Sequence, residues 1–161
     1  MSWALHRIDD RLIHGQVLVA WGARLDPARI WVVDDGVAAN AWERDLFREA
    51  APGIDVRVSS VAEAAAAHAE EATAPRAAFL LVRDLATAQR LVDAGAQVAE
   101  WNVGGLHYAP GKEKVNDYVY LDDRDREAAR ALLAGGARLI VQDVPASRSQ
   151  PLVTLDPALA R

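Results

Sequence analysis

Asp9, Asp10, Arg11 and His14 crowd into one short stretch, IDDRLIHGQVLVAWG, immediately before apolar residues at helical spacing. Imidazole is the one group among them able to act as a nucleophile near neutral pH, where it is substantially uncharged. Arg11 adds a planar, permanently charged fork that matches phosphate oxygens. A helix opening at Gly15 and Gln16 adds unpaired backbone N–H groups and a partial positive charge, which together suit an anion. The combination reads as a phosphohistidine site: His14 as acceptor, Arg11 as phosphoryl clamp, Gly15 and Gln16 as phosphate-binding donors. The same residues also suit a capped, solvated turn with one structural histidine, so the local pattern leaves two readings open.

The chain offers further candidates for the same neighbourhood. Asn102, Gly104 and Gly105 end an apolar run; the two glycines could form a backbone nest for phosphate, or simply a turn. His107 follows them. Asp34 and Asp35 close another apolar run and suit helix capping as well as the border of a site. His6 and His68 read as structural. No compact ligand spacing joins the histidines and aspartates, and the sequence predicts neither metal nor cofactor. Trp31, Trp42, Phe47 and Trp101 are assigned to core packing by default. Lys112 and Lys114, the only lysines, suit a solvated loop or contact with an acidic partner.

The elements that must position these residues alternate. Short apolar runs at 3–8, 29–34, 54–59, 77–82, 97–103, 116–121 and 138–144 read as strands. Helical patterns lie at 15–25, 37–50, 61–71, 85–94 and 123–134, with Val17, Ala20, Trp21 and Arg24 as the buried stripe of the first. Gly95 and the pair Gly135 and Gly136 stand where helices stop. This is the pattern of βαβ units. It predicts an α/β fold of three layers, an open, mostly parallel twisted sheet with helices on both faces. Only 104–114 links two strands without a helix, so strands 97–103 and 116–121 are expected to pair as a hairpin or to place one antiparallel strand near the C-terminal part. The asymmetry puts Asp9 to His14 at the carboxyl end of the first strand, where open α/β sheets bind ligands.

Composition narrows the classes further. With 161 residues, 52% of them apolar and 25% charged, the chain fits one domain with a sizeable core. A net charge of -5 without a basic run argues against nucleic acid. No cysteine is present, which removes disulfides and thiol chemistry. No secretory signal or membrane-length apolar segment is evident, and a cytoplasmic location is the simplest expectation. A receiver domain of a two-component system would need an aspartate after the third strand and a lysine after the fifth; those strands end in Ser59-Ser60 and Val103-Gly104. A dinucleotide-binding enzyme would need a glycine-rich fingerprint after the first strand, and none is there.

The stretch RIDDRLIHGQV, residues 7–17, resembles the active-site loop of the IIB components of the mannose/fructose/sorbose class of the bacterial phosphoenolpyruvate-dependent sugar phosphotransferase system. The resemblance continues through VVDDGVAAN, WNVGGLHY and VQDVPAS, in the family's order and over nearly the whole chain. It implies a single IIB-type phosphocarrier domain over 1–161, a protein-Nπ-phosphohistidine–sugar phosphotransferase component. It further implies that Nδ1 of His14 accepts a phosphoryl group from a phosphohistidine of a IIA partner and passes it to a sugar held by the membrane components IIC and IID. Arg11 is similar to the family's phosphoryl clamp, and Asp10 to an aspartate that orders the loop and partners that arginine; Asp9 is expected to stand behind them. The resemblance implies a separate IIA donor, peripheral association with the membrane transporter, and is compatible with a homo-oligomer. The alternative is a regulatory IIB-like phosphoprotein with no transported sugar. The sugar itself is not legible, because the family binds it in the membrane components.

Overall fold

The computed structural model describes residues 2–160. The first half alternates strands with helical segments: β1 (Trp3–Asp9), a helix over 15–25, β2 (Arg29–Val33), α2 (Asp35–Ala38) and α3 (Ala41–Ala50), β3 (Asp55–Ser59), α4 (Val61–Glu71), β4 (Ala78–Val82) and α5 (Leu85–Asp93). Then come β5 (Glu100–Gly105), β6 (Glu113–Asn116), β7 (Val119–Leu121), α6 (Asp123–Ala134), β8 (Arg138–Val141), β9 (Gln150–Pro151), α7 (Leu152–Leu155) and a short 3-10 turn, Pro157–Ala160. Within the 15–25 helix, Gly22–Leu25 is α-helical and is labelled α1.

Seven strands form one sheet in the order β3-β2-β4-β1-β5-β8-β9, parallel except for the last pairing. Strand side chains alternate between two cores, as the period of two requires. Trp31, Val33, Leu80 and Val82 face α4, α5 and α6, whereas Ile30, Val32, Phe79 and Leu81 face the 15–25 helix and α3. Helices therefore cover both faces, and the central strands read as unbroken apolar runs for that reason. The helix starts follow their caps. Ser60 with Glu63 and Asp122 with Asp125 form capping boxes, and Asp84 accepts from the Thr87 N–H. Gly95 and Gly136 take the left-handed conformation just past α5 and α6, at φ 116° and 95°.

The structure departs from the sequence expectations at several places. The segment 37–50 is two helices, because Asn40 leaves the helix and caps α3 through the Glu43 N–H, while Asp34 caps α2. The run 116–121 is not one strand of the main sheet. Tyr118 turns on the Asn116 side chain, so β6 and β7 close into their own antiparallel hairpin, which bridges to Leu106 just after β5. The one antiparallel strand expected near the C-terminal part is present in the main sheet, but it is β9 rather than the run 116–121. The 15–25 helix is a π-helix over Val17–Trp21, with the Gly22 N–H reaching the Val17 carbonyl; Trp21 is buried but Arg24 is exposed. Trp42, assigned to the core, is 72% exposed, while Trp31 and Trp101 are fully buried.

At the amino ends of the strands, His6 and His68 share a hydrogen bond between their Nε2 atoms at 2.9 Å, with the Trp3 indole stacked on His68. Burial, and then the charge of His68, pushes the His6 imidazole down to about 3, and burial also lowers His68. An unfolded histidine titrates near 6.5, so between pH 6.5 and about 3 the unfolded chain binds more protons and stability must fall on acidification. Chemical denaturation between pH 4 and 7 should show this decline, and His6→Phe should flatten it. An unchanged slope would mean that these imidazoles are not held neutral by the fold.

Candidate functional site

β1 lies between β4 and β5. The connection leaving β1 runs over one face of the sheet and that leaving β4 over the other, which opens a crevice at the carboxyl ends of the strands. Residues 9–14 occupy it. Asp9 is the last residue of β1 and is fully buried. Its carboxylate takes three side chains at once: Arg7 Nη2 at 3.1 Å, Arg11 Nε at 3.1 Å and His14 Nε2 at 3.0 Å. It also accepts the backbone N–H of Arg11. Burial alone would push this carboxyl up, but the hydrogen bonds from His14 and Arg11 and the charge of Arg7 outweigh it and hold Asp9 well below the usual carboxylate range.

An ionised Asp9 can only accept, so Nε2 of His14 must carry the hydrogen of that bond. The ring's lone pair is then at Nδ1. A turn forces this geometry: Leu12 is held at φ 57°, a conformation costing a non-glycine residue roughly 1–2 kcal/mol. The Leu12 N–H bond to the Asp9 carbonyl and the complete burial of the Leu12 side chain hold it there. Gly15 starts the helix directly after His14, and the side chain of Gln16 accepts from Arg11 Nη2 at 3.2 Å. Arg11 is 38% exposed, so its guanidinium lies across Asp9 with one side open to solvent.

Behind Asp9, the Arg7 guanidinium is wholly buried. It donates to the Asn102 side chain, to the Gln142 carbonyl at 3.1 Å and to the Asp143 carbonyl at 2.9 Å, and lies 5.4 Å from the Trp21 ring centroid. Burial lowers the Arg7 pKa against the opposing pull of Asp9, yet a guanidinium starts high enough to remain charged. Trp21 Nε1 donates to the same Asp143 carbonyl at 2.8 Å. The π-helical turns end at this indole, and irregular helical turns of that kind recur where a side chain must be re-aimed at a site.

Several site expectations are revised by this geometry. Arg11 pairs with Asp9, not Asp10. Asp10 instead holds the following loop, accepting the His107 backbone N–H and facing His107 Nδ1, each at 2.7 Å. Gly104 and Gly105 are strand residues, so their N–H groups alternate in direction and form no nest. Gly104 is required for a different reason: a Cβ there would sit 2.0 Å from Arg7 Cζ, and one at Gly105 would come 3.2 Å from Arg11 Nη2. Asp34 caps α2 and reaches the site only through Arg83, which bonds both the Asp34 carboxylate and the Asp10 carbonyl. Asp35 bonds Arg90 and the Val61 N–H, away from His14. Among the described residues no cluster of three or more histidine, aspartate or glutamate side chains could hold a metal. Sequence reasoning missed Arg7. The signal was an arginine inside WALHRID, on a strand between two others, where a charge survives only with buried partners.

The parallel α/β sheet thus presents one histidine beside a helix start, in contact with a buried carboxylate and flanked by an exposed arginine. Comparison with known proteins gives the family. A model described as "PTS system sorbose subfamily IIB component" matches residues 3–159. The sorbose-specific EIIB component of Klebsiella pneumoniae is 35% identical over 96% of this chain and 93% of its own. The N-acetylgalactosamine-specific IIB component 1 of Escherichia coli is 32% identical over 92% and 94%. The mannose-specific EIIAB component of E. coli K12 is 38% identical over 89% of this chain, which spans only 45% of that relative's length. The crystal structure of the K. pneumoniae sorbose permease IIB domain superposes with a TM-score of 0.88 at 33% identity, covering 98% of each chain. The chain belongs to the sorbose-subfamily IIB components of the phosphotransferase system, and a phosphocarrier role follows from that membership. Among the described residues no helix is long and apolar enough to cross a membrane.

The seat of Arg7 yields a stability prediction. Gly104→Ala must displace the guanidinium, and Arg7→Met leaves Asp9 buried with less compensation. Each should lower unfolding stability by on the order of 3 kcal/mol in denaturant titrations. Wild-type stability in both variants would show that the buried pair does not organise the site.

Proposed function

We propose that His14 is the phosphorylated residue, that Nδ1 receives the group from a phosphohistidine of a IIA protein, and that the group passes on to a sugar bound by membrane IIC and IID components. The observation that carries this reading is the His14 Nε2 contact with Asp9, which leaves the Nδ1 lone pair as the ring's nucleophile. In the forward step the bond from phosphorus to the donor imidazole breaks while the bond to His14 Nδ1 forms. The donor ring departs with the bonding electron pair and needs no proton in exchange. Phosphorylated His14 keeps its Nε2 hydrogen, so the ring carries positive charge opposite the Asp9 carboxylate, the arrangement in which a buried carboxylate orients and stabilises an imidazolium.

Arg11, with the N–H groups of Gly15 and Gln16 at the helix start, holds the phosphoryl oxygens as their charge redistributes. Gly105 leaves the floor beneath Arg11 without a side chain. Asp10 sets the position of the His107 loop at the rim.

Reconstitution with phosphoenolpyruvate, enzyme I, HPr and a mannose-class IIA tests the proposal. Wild type should take up one acid-labile, base-stable label, and His14→Ala none while remaining folded; full labelling of that variant removes the assignment. Arg11→Ala should slow transfer at least 100-fold, with IIA affinity changed far less, because its fork meets charge that is greatest in the transition state. Equal losses in rate and affinity would make Arg11 a docking residue instead.

A further inference from the structure

A cavity of the molecule lies away from His14. It has a volume of about 660 Å³ and opens at the amino ends of the strands, with walls from Trp3, His6, His68, Gln97, Glu100 and Arg138. This is within the size range of small-molecule sites. Its floor along α4 is made by Ala65, Ala69 and Ala72, whose short side chains leave the space open. None of these residues contributes to the phosphoryl site.

The histidine pair gives the cavity a definite hydrogen-bonding character. His68 is 4% exposed, and its Nε2 faces Nε2 of His6. Two neutral imidazoles that share one N–H must be opposite tautomers. The ring that donates through Nε2 has a bare, accepting Nδ1, and the ring that accepts has a protonated, donating Nδ1. Among the described residues neither Nδ1 has a hydrogen-bond partner. The pair therefore presents one acceptor and one donor without net charge. The rim is likewise neutral, since Arg138 and Glu100 bridge each other at 2.7 Å. Gln97 adds an amide, again one donor group and one acceptor. Trp3 is fixed by its own bond from Nε1 to the His68 carbonyl and supplies an aromatic wall.

Neutral planar polar groups of both senses beside an indole and an alanine floor match a ring that carries hydroxyls on its edge and C–H groups on its face. We propose that this cavity binds a small uncharged polyhydroxylated ring, of the monosaccharide class. Such a ligand would also reach Asn102, a wall residue whose side chain accepts from Arg7, the partner of Asp9 behind His14. The cavity and the phosphoryl site thus share one chain of hydrogen bonds.

Titration of the protein with D-glucose and with methyl β-D-galactopyranoside, read by NMR of the imidazole resonances, tests this. The His6 and His68 signals should shift saturably below 20 mM, and cyclohexanol, a ring of similar size with one hydroxyl, should shift them at least 5-fold less at equal concentration. Ala69→Phe, at an exposed helix position that borders the cavity, should abolish the response. Gln97→Ala, at an exposed loop position, should weaken it about 5-fold, the effect of one lost hydrogen bond. Absence of saturable shifts with both sugars, an equal response to cyclohexanol, or an undiminished response in folded Ala69→Phe overturns the proposal. Labelling of His14 is independent of these outcomes and fails or succeeds separately.

Discussion

The organising constraint in this molecule is a fully buried carboxylate. Asp9 is placed by β1 at the bottom of the crevice, and an isolated charge there would be untenable. Arg7 answers it from below, Arg11 from above and His14 from the side. Each partner is in turn constrained by being needed there. Arg7 requires the carbonyls of Gln142 and Asp143, the Asn102 side chain and the absence of a side chain at Gly104. Those requirements tie β5 and the segment after β8 to the loop after β1, although they are far apart in sequence.

The electrostatic consequence is a division of labour between two arginines. Arg7 is buried and its Nη1 and Nη2 atoms are held by protein acceptors, so it fixes the carboxylate and touches nothing outside. Arg11 pairs with the same carboxylate but keeps one side in solvent. Asp9 is left ionised, and an ionised carboxylate dictates which nitrogen of His14 carries hydrogen. A strained Leu12 and a π-helical stretch ending at Trp21 are the local deformations through which the backbone meets these side-chain demands.

Much of this is legible in the amino-acid sequence. Apolar runs and helical spacing place the strands and helices to within a few residues, and 61–71 and 123–134 coincide with α4 and α6. Their capping boxes and the glycines after the helices are local signals, read from neighbours in sequence. The misread segments are those where a side chain rather than periodicity decides. Asn40 interrupts one helical pattern by capping another, Asn116 turns a strand pattern into a hairpin, and Trp42 keeps helical spacing while facing solvent.

The amino-acid sequence by itself determined the class of fold, the position of the loop after the first strand and the two residues, Arg11 and His14, whose chemistry stands out. These follow from periodicity and from side-chain functional groups, which are properties of the chain alone. Which aspartate orients the histidine was decided only by tertiary structure. Asp9 and Asp10 are adjacent and chemically identical, but β1 ends at Asp9, on the same strand face as Arg7, and Asp10 already belongs to the turn. Asp9 therefore meets Arg7, Arg11 and His14 in the interior, while Asp10 meets His107 at the rim. The role of Arg7 was hidden for the same reason: its partners are about 95 and 135 residues away and come within reach only when β1, β5 and β8 lie side by side.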